Sequence, residues 1–326
     1  MLTGEPRQAT AATGLAHEVL TYHGESEFLA GVTSFVGEGL ADSGRVVVAL
    51  GSQNIVRLRA ALGVDGRNPG LTYLDVAELG RNPARTIPAW REFALEDGDP
   101  GRPFSGVCEW SPTGRPPAEV DAVCREEALL NVAFAAERPW RLLCLYDATA
   151  LDGPILAGAD SGHPYLRFGG AVRDNPAYLD AGAGQSTLAG PLPEPPAVAD
   201  RLTFTGEGLA ETRVAASRRA REAGFGRDRA DDLALAVHEI ATNSVLHGGG
   251  VGVLRVWTEP GAVVCEISDR GWLRDPLVGR SMPEPGEEGG RGLWLANQLC
   301  DLVQVRSRPG RTVIRLSLRE PRPPAA

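Results

Sequence analysis

The chain has 326 residues, enough for two domains that each bury their own core, and its 43% hydrophobic and 23% charged residues are those of a soluble globular protein. All 33 basic residues are arginine, which excludes a lysine-bearing phosphate loop, a Schiff-base lysine and a lysine-dependent kinase fold. A net charge of -9 argues against direct nucleic-acid binding; residues 201–320 carry 17 Arg against 16 Asp and Glu, so the acidity lies outside them.

No apolar run approaches the roughly 18–20 residues of a membrane helix. The opening "MLTGEPRQAT" has neither the basic nor the apolar region of a secretory leader. No membrane partner is therefore expected, and the cytoplasm is the expected compartment. The five cysteines, Cys108, Cys124, Cys144, Cys265 and Cys300, are scattered and odd in number, a pattern of reduced buried thiols rather than a disulfide framework or zinc motif. Residues 1–14 and 321–326 read as loose ends. "AGAGQSTLAGPLPEPPAVAD", 181–200, reads as a Gly/Pro linker between domains at 15–180 and 201–320.

In the first domain short apolar runs alternate with helical patterns. "HEVLTY" at 17, "RVVVAL" at 45, "LTYLDV" at 71, "FSGVCEW" at 104 and "WRLLCLYD" at 140 predict strands, with helices near 25–41, 53–62, 84–96 and 117–137. This alternation predicts an α/β fold with a mainly parallel sheet and helices on both faces. Ligands of such sheets bind beyond the carboxyl ends of the strands. That rule gathers Tyr22, His23, Gly51, Ser52, Asp75, Glu109, Trp110, Tyr146 and Asp147 around a sensory pocket, with His163 closing over it. The plainer alternative has Tyr146 and Asp147 ending a strand and His17 packed within one. Cys144, Asp147 and His163 carry metal-ligand chemistry, but no pair has a recognised ligand spacing.

The run "HEVLTYHGESEFLAGVTSFVGEGLADSGRVVVAL", with "EEALLNVAFA", "LLCLYD" and "HPYL", resembles the methanogen and methylotroph sensory domain over about residues 15–176. The resemblance implies a RecA-like sheet and a sensing role for an unidentified small-molecule signal.

The second domain reads, after the linker, as a helix over 209–223, a second helix capped by Asp228, a hairpin of "GVLRVWTE" and "AVVCEISDRG", and an aperiodic stretch from Leu273 to Glu288. A helix opened by "GGRGL" and the closing strands "LVQVRS" and "TVIRLSL" follow. Strands in one layer and helices in the other make a two-layer α/β sandwich. On the wheel of "LALAVHEIATNSVLHGGG", 233–250, Leu233, Val237, Ile240, Ala241 and Ser244 share one face, and Asp232, Glu239, Asn243 and His247 line up on another.

If the ligand is a nucleotide, each polar cluster has a use. Gly289, Gly290 and Gly292 at a helix start expose backbone N–H groups to polyphosphate. Magnesium takes one or two protein oxygens and the rest from phosphate and water, and the Asn243 side-chain carbonyl is such a ligand. One turn earlier Glu239 accepts a proton from an attacking hydroxyl. Asp269 accepts from an exocyclic amine such as that of adenine, and Gly271 lets backbone approach the ring. Zinc in a His-Glu-x-x-His motif is excluded, because Thr242 stands where the second histidine belongs.

In this order "HEIATN", "DRG" and "GGRGL" resemble the N box and two glycine boxes of the GHKL, or Bergerat-fold, ATPases, and "GRT" at 310–312 their late Gly-x-Thr. The resemblance covers about residues 201–318. It implies ATP and Mg2+ held through Asn243, Asp269, Gly271, Gly289, Gly290, Arg291, Gly292, Leu293 and Thr312. One departure stands at Leu273, where the first glycine box usually has a second glycine; adenine binding is expected to survive it, while lid movement and catalysis depend on it.

"EEGGRGLWLANQLCD" is most similar to the anti-sigma-factor serine kinases, and the whole chain resembles two-domain anti-sigma-factor regulators of high-GC actinobacteria. That resemblance implies a stress-type transcription regulator with a sigma factor and an anti-sigma-factor antagonist as partners, and a homodimer. Its alternatives are an ATP-holding partner switch without phosphate transfer, and a sensor histidine kinase. The last needs a phosphoacceptor histidine upstream of Glu239, and residues 177–237 contain none.

Overall fold

The computed structural model describes residues 14–42, 44–63, 68–76, 82–95, 104–109, 116–135, 139–179, 189–283 and 290–320. The chain divides into two compact units, one of Met1–Gly80 and Ala89–Ala183, the other of Arg81–Pro88 and Gly184–Ala326.

The first unit contains β1 (Leu15–Tyr22), α1 (Gly24–Asp42), β2 (Val46–Leu50), α2 (Ser52–Ala61) and β3 (Leu71–Asp75). Then come α3 (Thr86–Leu95), whose first residues belong to the other unit, β4 (Ser105–Glu109), α4 (Pro117–Ala133) and β5 (Trp140–Asp147). It ends with α5 (Gly153–Gly162), β6 (Tyr165–Phe168) and β7 (Ala171–Asp174). The strand order is β3-β2-β4-β5-β1-β6-β7, parallel except for the β6–β7 hairpin. The five strands and four helices expected in this unit all form. The β6–β7 hairpin and α5 add to them, in a stretch too short and mixed in pattern to declare itself.

Alternation of side chains sorts the sheet into two faces. Leu143 and Leu145 of β5 join Leu20, Val46, Val48 and Val107 under Phe28, Val32, Phe35 and Val36 of α1. The intervening residues, Trp140, Cys144 and Tyr146, face the other way. There the Trp140 ring stacks on Phe104 at 4.6 Å and meets Phe134 edge-on at 4.8 Å. The interior strand β2, "VVVAL", is buried along its whole length, as a parallel strand covered on both faces must be.

Among the apolar side chains of the α1 face lies a buried ion network. Glu18 accepts from Arg167 Nε at 2.7 Å and from Arg141 Nη2 at 2.9 Å, and both arginines also reach Glu38. Glu18 and Arg167 are wholly buried. Such a pair costs desolvation, which is offset because each carboxylate oxygen of Glu18 and Glu38 and each guanidinium nitrogen of Arg167 has a partner.

The second unit contains β8 (Asp200–Phe204), α6 (Leu209–Glu222), α7 (Arg227–His247), β9 (Gly252–Glu259), β10 (Ala262–Asp269), α8 (Arg291–Leu299), β11 (Leu302–Arg308) and β12 (Arg311–Arg319). The sheet runs β11-β12-β10-β9-β8, antiparallel throughout. The α7 face that buries Leu233, Val237, Ile240 and Ala241 packs on Val263, Cys265, Ile267 and Leu316 of the sheet. This is the two-layer sandwich expected, with one strand more, since "DRLTF" forms β8 at the sheet edge. Asn82, from residues 81–88, belongs to this unit, its amide donating to the Asn297 main-chain oxygen at 3.0 Å.

Of the segment read as a linker, residues 181–188 lie outside the described residues and Asp200 opens β8. Pro193 accepts from Arg315 Nη2 at 2.7 Å, while Arg315 also pairs with Glu266 at 2.5 Å on the sheet face away from the helices.

Candidate functional site

The helix register of α7 turns Glu239 and Asn243 away from the core, and both are half-buried. The start of α8 lies against them. A Cβ on Gly292 would sit 3.0 Å from Asn243 Nδ2 and 3.2 Å from Glu239 Oε2, so any other residue there would press on both polar groups. Gly290, with φ 77°, is the cap that turns the chain into α8. Such a start aims free N–H groups and the positive end of the helix dipole outward, the usual setting for an anion.

Asp269 ends β10 and is held at both oxygens. Oδ1 accepts from Gly271 N at 2.7 Å and Oδ2 from Ser244 Oγ at 2.6 Å. A carboxylate has about four lone-pair sites, so acceptor capacity remains for an exocyclic amine. The α7 terminus crowds this group: a Cβ on Gly248 would lie 2.5 Å from Asp269 Cγ and 2.5 Å from Ser244 O. Thr312 stands opposite Asp269 in the β10–β12 register, and its Oγ1 is 2.8 Å from Ser307 Oγ.

These groups border a cavity of about 220 Å³ whose lining includes Asn243, Asp269, Gly271, Gly290, Leu293 and Thr312. Its floor is apolar, with Ile240, Val278 and Ile314, and its rim polar, the composition of a small-molecule site. The sequence-derived set therefore assembles, apart from Gly289, which lies outside the described residues. Glu239 and Gly292 adjoin Asn243 without being among the lining residues, and Arg291 is exposed. His247, exposed at the end of α7, lines the cavity as well.

Sequence reasoning missed three contributors. Ser244 reads as part of the apolar stripe, yet its hydroxyl orients Asp269. Ser307 lies at the end of β11, a hairpin away from Thr312. Trp272 lines the cavity with its ring under Arg274, 4.2 Å from the guanidinium carbon; an aromatic after "DRG" was the available signal. Leu273, in the place of a glycine, donates its N–H to Ser307 Oγ at 2.8 Å and packs on the core. Among the described residues only glycines have positive φ, so the backbone at 273 does not require one.

In the first unit, of the ten residues expected around a sensory pocket, Tyr22 lies beside Glu109 and Asp147, and Tyr146 beside His163. His23 is exposed, its main-chain N donating to Glu27. Glu109 accepts from Gly51 N at 2.9 Å and Asn54 Nδ2 at 2.8 Å, holding the start of α2. Asp147 takes the plainer role, accepting from Thr149 N and Oγ1 in a turn. Tyr22 is buried; burial, then the nearby Glu109 and Asp147, push its phenol above its ordinary pKa. Tyr146 and His163 are buried on the opposite sheet face from α1, ring edge to ring face, with centroids 6.0 Å apart. Tyr22, Glu109 and Asp147 thus stay together at the strand ends, while the β5 alternation turns Tyr146 to the other sheet face with His163. Trp110 lies outside the described residues.

Among the described residues no helix is long and apolar enough to cross a membrane. Residues 16–164 match the family of the methanogen/methylotroph, DcmR sensory (MEDS) domain. Residues 202–318 match the histidine kinase-like ATPase domain. No curated protein matches the chain. Among solved structures, the RsbU and RsbW domains of Rv1364c from Mycobacterium tuberculosis share 19% identity, covering 37% of this chain and 32% of that one, with a TM-score of 0.27. The Acinetobacter baumannii histidine kinase AdeS shares 10% identity, covering 37% of this chain and 67% of that one, with a TM-score of 0.21. The chain thus spans about a third of the length of the first of these.

Proposed function

We infer, from the premise that one chain joins a MEDS domain to a histidine kinase-like ATPase domain, that the protein is a signal-responsive anti-sigma-factor serine/threonine kinase. In this reading it binds ATP in the second unit, phosphorylates an anti-sigma-factor antagonist or sequesters a sigma factor, and takes its signal in the first. The observation that carries the nucleotide part is the approach of Gly292 to Glu239 and Asn243 beside a cavity bordered by Asp269.

The adenine edge would lie on Asp269 and the polyphosphate along Gly290 to Gly292. The described residues fit magnesium as well: Asn243 lines the cavity beside a helix start where the missing side chain of Gly292 leaves room. Asn243 would hold the ion through its carbonyl oxygen, and the ion when bound would neutralise phosphate charge. Glu239, one turn away, accepts the proton of an attacking serine or threonine hydroxyl as its oxygen bonds to the terminal phosphorus and the bond to the bridging oxygen breaks.

A serine or threonine acceptor on a partner is favoured over a histidine within the chain because the five histidines stand at 17, 23, 163, 238 and 247, none of them between 177 and 237. The second reading, an ATP-binding switch without transfer, is favoured by Leu273 alone. Glu239→Gln separates the two. Transfer of the terminal phosphate to the cognate antagonist should fall about 10²- to 10⁴-fold with ATP affinity kept. No transfer by the native protein, or transfer indifferent to the change, would leave the switch reading standing.

A further inference from the structure

On the sheet face opposite α1, the first unit turns four ligand-bearing side chains toward one another. His17 comes from β1, Cys144 from β5, Glu127 from α4 and His163 from the turn between α5 and β6; all are buried, and their ligand atoms lie within 4.8 Å of one another. His17 Nε2 is 3.2 Å from Cys144 Sγ and 3.3 Å from Glu127 Oε2. His163 Nε2 is 3.1 Å from Glu127 Oε2, and Cys144 Sγ is 3.6 Å from Glu127 Oε1. A tetrahedral ion with bonds of about 2.0–2.3 Å sets its ligand atoms roughly 3.3–3.8 Å apart, close to this spacing.

The surroundings fix what each ring offers. His163 Nδ1 is 2.7 Å from Ala159 O, an oxygen that only accepts, so Nδ1 carries the hydrogen. His17 Nδ1 is 3.0 Å from Asn131 Oδ1, and that amide is oriented because its Nδ2 donates to Gly162 O at 2.8 Å. Rings anchored at Nδ1 present Nε2 to the carboxylate and the sulfur. Glu127 Oε2 and His163 Nε2 approach closely but out of line, and neither has a hydrogen-bond partner. The Cys144 thiol hydrogen can serve only one of these contacts, so the lone pairs left around the same point call for a positive charge. Imidazole rings anchored through Nδ1 to carbonyl oxygens are the usual outer support of metal ligands.

We propose that His17, Glu127, Cys144 and His163 bind one divalent transition-metal ion of the zinc class, in a closed four-ligand site. Two imidazoles, a thiolate and a carboxylate suit zinc rather than magnesium or calcium. On binding, the Cys144 thiol gives its proton to solvent and its sulfur bonds to the ion, with no change of oxidation state. The ion would tie two strands, a helix and a turn of the first unit, and the proposal is independent of the nucleotide reading.

The test is a titration of the chelator-treated full chain with Co2+ as optical probe, followed by Zn2+ in competition. One Co2+ should bind per chain, with near-ultraviolet absorption from sulfur-to-cobalt charge transfer and the strong visible bands of four-coordinate cobalt, all bleached by Zn2+. Cys144→Ser should abolish the sulfur band, Cys265→Ala in the other unit should keep it, and Glu127→Gln should weaken Zn2+ binding at least about tenfold. A native chain that takes up no stoichiometric Co2+, or takes it up without the sulfur band, would overturn the proposal, and this holds even if Cys144→Ser does not fold. A sulfur band retained in folded Cys144→Ser would overturn it equally.

Discussion

Two helices of this chain carry a glutamate and an asparagine four residues apart: Glu127 and Asn131 in α4, Glu239 and Asn243 in α7. Around the first pair the surroundings close. Glu127 is buried against two histidines and a thiol, and Asn131 spends its amide on orienting one of those rings. Around the second they stay open, because α8 approaches with a glycine and the next neighbour is a cavity. The ion network of Glu18, Arg141, Arg167 and Glu38 follows the closed pattern of the first unit. Identical spacing on a helix thus says little; what other elements bring against it decides whether the groups close on one another or border an open cavity.

Loss of a member should therefore cost stability in the closed ion network and nucleotide affinity in the open site. The largest stability effect is expected at Arg167→Ala, which leaves the wholly buried Glu18 with a single cation. Thermal or urea unfolding of the full chain should show the first unit weakened by about 3 kcal/mol, and a loss under 1 kcal/mol would break the contrast.

A smaller cost is expected at the seam of the open site. Gly248→Ala puts a Cβ within 2.5 Å of Asp269 Cγ and Ser244 O. Stability should fall by about 1–3 kcal/mol, and nucleotide affinity with it, whereas a change in neither would mean that Asp269 has room to move.

The smallest effect is a pH dependence. Burial alone would raise the Glu38 carboxyl, but hydrogen bonds from Arg167 and Arg141 outweigh it and bring its pKa down to about 2. A folded value below the unfolded one means that this stabilisation is full above the ordinary carboxylate range and is lost as pH falls through about 2. In acid titration Glu38→Gln should flatten the fall in stability of the first unit over that window, and an unchanged profile would remove Glu38 from the account.

The open site was more legible than the closed one for a physical reason. Glu239, Asn243, Asp269, Gly271 and Gly292 announce themselves in three short motifs, each on one element, and the fold only has to bring three elements together. Ser244 and Ser307 escaped because a serine on an apolar stripe or at a strand end has no periodic signature. In the closed cluster His17 and Cys144 are 127 positions apart, on neighbouring strands. Sheet pairing alone makes them neighbours, and no spacing could announce it. The same limit applies to the residues expected around a sensory pocket. Strand ends were located correctly, yet which of Glu109, Asp147 and Tyr146 caps, turns or faces inward depends on local hydrogen bonds and on β5 alternation. The strands "DRLTF" and "YLRF" were missed because strands of four or five residues with so few of them buried carry little hydrophobic pattern.

The account rests on Asn243 facing a nucleotide rather than supporting the fold, and calorimetric titration of the full chain with ATP and magnesium tests this directly. Asn243→Ala should weaken magnesium-dependent ATP binding about 10- to 100-fold, while its unfolding free energy stays within about 0.5 kcal/mol of the native protein. Unchanged ATP affinity, or a loss of stability in its place, would contradict the account.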